Sequence, residues 1–169
     1  MANHLANIST VAVLSTDNDV PLGLFTSELA HVLKKYGATQ RLTSETVKKR
    51  LGEGAMDLNN EYRLTTWLGQ QEDVHKMTLY QCDSSQTNWT NRCLRQADCI
   101  LIVAMGQSKP KIGELELELE KYACRALKCL VLLHKENVEG ILGEIFFGIF
   151  QPKSHFPSYF LTLKSCFPK

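Results

Sequence analysis

The sequence has almost no excess of charge of either sign. Nineteen lysines and arginines are balanced by 18 aspartates and glutamates, which gives a formal net charge of +1. Proteins that act mainly by binding nucleic acid or an acidic membrane surface concentrate positive charge instead. The balance therefore argues against both activities as the main function of the chain.

Long hydrophobic runs are also missing. No run approaches the roughly 18 apolar residues that a membrane-spanning helix requires. Met1–Thr10 is polar, so we expect no cleaved secretory signal. The glycosylation sequons that begin at Asn7 and Asn88 are therefore expected to be coincidental.

None of the six cysteines forms a C-x-x-C pair. Cys93, Cys99, Cys124 and Cys129 fall in predicted helices or strands, at positions expected in the core. Buried free thiols in a reducing compartment are the favoured interpretation. The five histidines lack the close spacing of metal ligands. We therefore predict no metal site and no cofactor.

The chain instead contains short apolar runs that alternate with helical patterns. Apolar, β-branched runs predict strands, and apolar residues spaced by three or four predict helices. This alternation predicts an α/β fold, with a mostly parallel sheet of about five strands and helices on both faces in a Rossmann-like, three-layer arrangement. The predicted strands are Ile8–Leu14, Thr39–Leu42, Met77–Gln81, Cys99–Ala104 and Cys129–Leu133.

Proline, glycine and hydroxyl side chains mark the expected helix ends. Pro21 and Pro110 suit the start of a helix, and one residue of the Thr43–Ser44 pair suits an N-cap. Gly37 is expected to end the first helix in a left-handed conformation, and Gly52 to stop the second.

Each predicted helix has an apolar face. The first is expected to bury Leu22, Phe25, Leu29, Val32, Leu33 and Tyr36. The third is expected to bury Leu58, Tyr62, Leu64, Trp67 and Leu68. The fourth should bury Trp89, Cys93, Leu94 and Ala97, and the last Ile112, Leu115, Leu119, Tyr122 and Ala126.

These patterns divide the chain into three parts. Residues 1–7 are expected to be a flexible N-terminus, and residues 8–136 to be the α/β domain. Residues 137–169 have few charges, no clear hydrophobic period and six of the seven phenylalanines. We expect this tail to be irregular, with contact to a membrane interface or to a partner left open.

Sheets of this class bind ligands at the carboxyl ends of their strands. The first loop at that edge lacks both G-x-G-x-x-G and the P-loop motif, and no lysine lies between Thr16 and Leu33. We therefore expect no nucleotide at this position. The four loops expected to form the edge are Ser15–Asp19, Thr43–Ser44, Gln81–Ser85 and Ala104–Gln107.

Candidate catalytic groups have plainer explanations. The string Gly106–Pro110 lacks the second glycine of a G-x-S-x-G turn, so its serine is expected to be a loop or cap residue. Asp83, which precedes two serines, could serve a site or cap a helix.

Three arginines could hold a phosphate or form surface ion pairs. Arg63, Arg92 and Arg95 lie near Glu61 and Asp98 in the sequence. Exposed arginines paired with carboxylates are common, so surface ion pairs are the favoured interpretation.

Several segments carry residue patterns that have no generic chemical explanation. The longest are Glu61–Asp73, which reads EYRLTTWLGQQED, and Trp89–Gly106, which reads WTNRCLRQADCILIVAMG. Val20–Leu29, Leu42–Ser44 and Leu79–Gln81 add to the pattern. In order and spacing these segments resemble the neuropathy target esterase family, called Swiss cheese in insects, over about residues 8–136.

The resemblance implies that a parent protein is a patatin-like lysophospholipase that hydrolyses lysophosphatidylcholine. In that family, an amino-terminal membrane segment precedes cyclic-nucleotide-binding-like domains, a linking α/β region and a patatin-type catalytic domain. This chain resembles the linking region. Its expected partners are the other domains of the parent, and its expected location is the cytoplasmic side of the endoplasmic reticulum membrane.

The catalytic features of that family do not occur in this sequence. A glycine-rich oxyanion loop, a G-x-S-x-G serine and a partner aspartate are all missing, so no catalytic residue carries over. Near Asn137 the chain departs from the family pattern. We therefore expect a fragment or short homologue whose α/β segment is non-catalytic. A small-ligand-binding module or a partner-binding or membrane-peripheral module is the alternative.

Overall fold

Five parallel strands form the centre of the structure, a computed structural model that describes residues 8–108, 115, 117, 119, 126–135, 146–150 and 159–165. Their order across the sheet is β2-β3-β1-β4-β5. The strands are β1 (Thr10–Ser15), β2 (Thr39–Leu42), β3 (Met77–Gln81), β4 (Cys99–Met105) and β5 (Leu127–Lys135). The predicted α/β fold is thus confirmed. The order differs from the 3-2-1-4-5 order of dinucleotide-binding sheets.

Helices cover both faces of this sheet. Four have described bounds: α1 (Leu22–Leu33), α2 (Ser44–Leu51), α3 (Glu61–Val74) and α4 (Asn88–Gln96). Two short 3-10 turns, Glu53–Met56 and Leu58–Asn60, connect α2 to α3. Between β4 and β5, Leu115, Leu117 and Leu119 are helical.

Alternate residues of each strand supply two separate cores. Val11 and Val13 of β1 pack with Phe25 of α1 on one face. Ala12 and Leu14 pack with helices α2, α3 and α4 on the other face, where buried Leu115 and Leu119 also lie. Helix α1 therefore covers one face, while the later helices cover the opposite face.

Local capping explains where α2 begins and ends. The Thr43 hydroxyl accepts a hydrogen bond from the Thr46 N–H over 3.1 Å, which satisfies a free donor of the first turn. Gly52 ends the helix with φ +96°, a backbone conformation that favours glycine. Both residues act as the sequence predicts.

Gly37 does not act as predicted. Helix α1 ends at Leu33, and among the described glycines only Gly52 has a left-handed backbone. A Cβ at Gly37 would lie 2.5 Å from Cδ of Lys76, whose chain crosses this point to donate to the Tyr36 carbonyl. A side chain at position 37 would therefore displace the flexible Lys76 side chain, and no left-handed backbone conformation requires glycine here.

On two helices the structure buries fewer apolar residues than the sequence predicts. Val32 and Tyr36 are 46% and 73% exposed, and Leu58 and Tyr62 are 82% and 85% exposed. The inner parts of both helices are buried as predicted. Val32 lies in the last turn of α1 and Tyr62 in the first turn of α3, whereas Tyr36 and Leu58 lie outside both helices.

Part of the tail is regular, contrary to the prediction of an irregular segment. Strands β6 (Phe146–Phe150) and β7 (Tyr159–Ser165) are antiparallel, and β7 pairs with β5. The strand Phe146–Phe150 has no apolar–polar alternation, whereas Tyr159–Ser165 contains the alternating run Leu161–Lys164, which the prediction missed. Predictions for residues 1–7, Pro110, Ile112, Tyr122, Cys124 and the rest of the tail lie outside the described residues.

Candidate functional site

The carboxyl ends of three neighbouring strands border an open cleft of about 740 Å³. Parts of three predicted loops line it: Ser15–Asp19, Thr43–Ser44 and Gln81–Ser85. The fourth predicted loop, Ala104–Gln107, does not contribute to the lining. The cleft lies beside β1 and β3, whose following helices cover opposite faces of the sheet. Ligands of open α/β sheets bind at such positions.

The conformation of the loop between β1 and α1 does not suit phosphate binding. Pro21 has φ −75° and ψ 61°, and the Leu22 N–H donates to the Val20 carbonyl over 2.7 Å, which makes an inverse γ-turn. Proline has no N–H to offer, and the turn already uses that of Leu22. The Val20 side chain is buried in the core. Pro21 and Leu22 therefore offer no free N–H to a phosphate at the point where the loop meets α1.

Arg41 is the one cation among the described residues that line the cleft. Its Nε and Nη2 donate to Oε1 of Gln81 over 3.1 and 2.7 Å. The hydroxyl of buried Thr26 lies 2.6 Å from the same oxygen and donates to it. A neutral amide oxygen thus holds the guanidinium in place.

The environment of Arg41 disfavours its charge. Burial lowers the pKa of this guanidinium below its ordinary value, and the nearby charge of Glu45 opposes the shift only in part. The two ion pairs found within the described residues involve other cations, Lys48 and Arg92. Arg41 is therefore a half-buried cation without a directly bonded carboxylate.

Asp83, at the end of β3, is fully engaged within the domain. Its Oδ1 accepts from the Ser44 hydroxyl and its Oδ2 from the Thr87 hydroxyl, both over 2.6 Å. Thr87 is the N-cap of α4, where its hydroxyl accepts from the Thr90 N–H. The N-caps of these helices are Thr43 and Thr87, so Asp83 is not itself a cap, but its hydrogen bonds tie the start of α2 to the cap of α4.

The serine of the Gly106–Pro110 string lies in a turn. The Ser108 N–H donates to the Met105 carbonyl over 3.1 Å. Gly106 lies directly against the buried His134 of β5, and a Cβ at this glycine would overlap the imidazole ring. The glycine is thus explained by close packing between two strand ends.

The arginines of α3 and α4 behave differently from one another. Arg92 forms an ion pair with Glu61 over 3.1 Å, as predicted. Arg63 and Arg95 are exposed. Asp98 binds no arginine among the described residues but accepts from the backbone N–H groups of Ser9 and Thr10. The structure therefore does not bring these arginines together as one site.

The hydrogen bonds of Asp98 fasten the starts of β4 and β1 to each other. Burial alone would raise the pKa of Asp98, but hydrogen bonds from the backbone and hydroxyl groups of Thr10 and Ser9 outweigh burial and lower it. This clamp lies at the amino ends of the strands, opposite the cleft. It is structural in character.

A second polar network lies beneath α3 and α4 and was not predicted. The Tyr80 hydroxyl donates to Glu72, and Gln96 donates to the same carboxylate oxygen. Trp89 meets the Tyr80 ring edge-on at 5.9 Å, and its indole N–H donates to the Gln81 carbonyl over 2.8 Å. An apolar pattern cannot reveal such pairs, since Tyr80 reads there as another core residue.

The described ranges contain free thiols but neither a metal-binding cluster nor a membrane-spanning helix. No group of three or more His, Cys, Asp or Glu side chains there is placed to hold a metal ion. Cys82, Cys93 and Cys99 are buried free thiols, and Cys129 is partly buried. No described helix has both the length and the apolar character needed to cross a membrane.

Comparison with known proteins gives one consistent family. The model of the neuropathy target esterase family P-loop-like domain matches residues 7–140. Mouse patatin-like phospholipase domain-containing protein 7 is 54% identical over 137 residues, which cover 81% of this chain and 10% of the relative. Human patatin-like phospholipase domain-containing protein 6 is 51% identical over 140 residues, which cover 83% of this chain and 10% of the relative.

An insect protein gives the same result. Neuropathy target esterase sws of Drosophila grimshawi is 55% identical over 129 residues, which cover 76% of this chain and 9% of the relative. The chain thus spans about a tenth of the length of the curated relatives it matches. Those relatives contain other regions beyond this one.

Proposed function

Because this chain belongs to the neuropathy target esterase family, we propose that it is a non-catalytic α/β segment of a family lysophospholipase. There it would link cyclic-nucleotide-binding-like domains to a patatin-type catalytic domain that hydrolyses lysophosphatidylcholine. The observation that supports a non-catalytic role is the chemistry of the cleft. Asp83 and Gln81, the polar groups at the end of β3, are already hydrogen-bonded within the domain.

The β1–α1 loop supports the same proposal. The family description is that of a P-loop-like domain, yet this loop has a γ-turn at Pro21 and a buried Val20 where phosphate donors would be needed. Nucleotide hydrolysis would need both those donors and a lysine. A packing role requires neither.

An exposed apolar ridge supports contact with another domain. Leu58 lies in the 3-10 turn before α3 and Tyr62 in the first turn of α3, and both are more than 80% exposed. Exposed apolar surface of this kind can serve as an interaction site. We propose that this ridge packs against a neighbouring domain of the longer parent protein.

The catalytic half of the proposal is tested with the chain itself. We expect no turnover of lysophosphatidylcholine and no labelling by a fluorescent organophosphonate, with the mouse relative as a positive control. Ser108→Ala is the matched variant, because it alters the serine of the incomplete nucleophile motif. Turnover that this substitution abolishes would contradict a non-catalytic role.

The linking half is tested by association. The chain is titrated calorimetrically with the separately produced remainder of the mouse relative, and binding is expected. Leu58→Ser with Tyr62→Ser should weaken the interaction at least tenfold, whereas Lys49→Ala on exposed α2 should not. Equal binding by both variants would exclude the ridge, and no binding by the native chain would exclude the linking role.

Two further parts of the proposal are the location of the domain and the role of the tail. Both depend only on the family resemblance and the sequence. We propose that the domain lies on the cytoplasmic side of the endoplasmic reticulum membrane, which protease protection of a tagged parent protein would test. A membrane-peripheral role of residues 137–169 stays an alternative. Liposome flotation that is unchanged when this segment is removed would exclude it.

Small-ligand binding is a second candidate function, and one observation favours it. The cleft has the size of a ligand site, and it contains a cation that no described carboxylate pairs with directly.

A further inference from the structure

Arg41 is the cleft cation to which no described carboxylate bonds directly. Asp83 is bonded by two hydroxyls, and the amide oxygen of Gln81 receives donors from Arg41 and Thr26. The guanidinium has five N–H donors, and the described residues accept from its Nε and Nη2. The remaining donors on Nη1 and Nη2 are available to a ligand in the cleft.

Gln81 fixes the direction of the guanidinium. Because the amide oxygen binds both Nε and Nη2, it occupies one edge of the planar group. Thr26, fully buried in α1, donates to the same oxygen and holds Gln81 in place. The end of the guanidinium formed by Nη1 and Nη2 is therefore the edge that a ligand would meet. A guanidinium edge matches two oxygens of one anionic group.

The position of Arg41 disfavours an unpaired positive charge and so favours binding of an anion. Nη2 lies 3.8 Å from where a Cβ of Gly23 would be, so the cation sits against the first turn of α1. The start of a helix is its positive end, where a cation is disfavoured. Burial also lowers the pKa of Arg41. A buried positive charge normally has a bonded counter-charge.

The other charges that line the cleft limit which anion fits. Asp17, Glu45 and Asp83 contribute three negative charges against the one positive charge of Arg41. A polyphosphate or phosphate dianion would therefore be repelled by most of the lining. A single carboxylate satisfies the guanidinium with the least added charge.

We propose that the cleft binds a small organic carboxylate, with its carboxylate on the free edge of Arg41. The inference deepens the second candidate function and is independent of the linking role. The hydroxyls of Ser15 and Ser44, which also line the cleft, would meet the remainder of the molecule. Arg41 is a binding residue in this assignment and has no catalytic part.

The test is a titration of the full chain followed by nitrogen-15 NMR, with acetate and inorganic phosphate at constant ionic strength. Acetate should shift the side-chain Nε–H of Arg41 and the Gly23 amide in a saturable way. Phosphate should bind more weakly. Stronger binding of phosphate, or shifts spread evenly over the surface, would overturn the assignment.

Three variants separate this site from a structural role of the arginine. Gln81→Glu supplies a competing carboxylate and should abolish acetate binding while keeping the fold. Arg41→Lys retains the charge without the guanidinium edge and should weaken binding at least tenfold. Asp17→Asn removes a repelling charge and should strengthen it. Unchanged acetate binding in Gln81→Glu or Arg41→Lys would overturn the proposal, whatever the outcome for domain linking.

Discussion

Replacing Asp83 tests whether the carboxyl edge of the sheet is held together by its own polar groups. The carboxylate accepts from Ser44 at the start of α2 and from Thr87 at the cap of α4, each over 2.6 Å. Asp83→Ala removes both acceptors. Asp83→Asn retains one acceptor oxygen, because its amide nitrogen cannot accept a hydrogen bond.

The magnitude follows from the number and type of these bonds. A hydrogen bond to a charged group contributes about 1.5–3 kcal/mol to stability, and partial exposure favours the lower value. Asp83→Ala should therefore lower the free energy of unfolding by about 3 kcal/mol. Asp83→Asn should lower it by about half of that. Asp17→Ala, in the same cleft, is the control, since no described side chain or backbone group bonds to that carboxylate.

Urea unfolding followed by tryptophan fluorescence measures these differences. Buried Trp89 lies next to the affected region and should report its loss. We expect the order Asp17→Ala, Asp83→Asn, Asp83→Ala of increasing destabilisation, with an unchanged dependence on urea concentration. If the free energy of unfolding of Asp83→Ala stays within about 0.5 kcal/mol of the native value, as for ordinary surface changes, Asp83 does not tie α2 to α4. Its carboxylate would then be available to a ligand.

Three further substitutions test other contacts. Gly106→Ala should destabilise the domain by about 1–3 kcal/mol in urea, because its methyl group would overlap the His134 ring. Tyr80→Phe should cost about 1.5–3 kcal/mol by the same assay, because Glu72 loses a buried donor. Asp98→Asn should be destabilising at neutral pH, and this difference should disappear as the pH falls through the folded-state pKa of Asp98. That pKa is lowered, so the stabilisation is complete above the ordinary value of 3.8 and lost in acid.

Each of these three expectations would be contradicted by a specific result. Gly106→Ala with native stability would show that the imidazole moves aside at little cost. Unchanged unfolding of Tyr80→Phe would show that Glu72 is solvated well enough without the hydroxyl. A stability difference for Asp98→Asn that is the same at pH 7 and pH 2 would separate the clamp from the charge of this carboxyl.

Local patterns were sufficient for the central elements. The predicted bounds of Thr39–Leu42 and Met77–Gln81 agree with β2 and β3, because short apolar or β-branched runs between turn residues have few other outcomes. Helix ends were less predictable. The apolar period continues to Tyr36 and begins at Leu58, but α1 ends at Leu33 and α3 begins at Glu61.

The contacts within the site could not be predicted from local sequence patterns. Arg41 and Gln81 are 40 residues apart in sequence and meet because β2 and β3 are neighbours. That adjacency depends on strand order, which sequence periodicity does not determine. The carboxyl edge itself could be predicted, since three of the four predicted loops line the cleft. The sequence did not predict which side chains of these loops are already hydrogen-bonded within the domain.

The contrast between two neighbouring residues of the cleft separates packing from recognition. Asp83 carries a charge at the usual ligand position of the fold, but its carboxylate already accepts hydrogen bonds from the hydroxyls of Ser44 and Thr87. Arg41 carries the opposite charge, and its bonded acceptor is a neutral oxygen. Stability alone would favour glutamate at position 81, because an isosteric carboxylate would neutralise the half-buried guanidinium. A glutamine there leaves the cation unsatisfied, which is the arrangement a site for an external carboxylate requires.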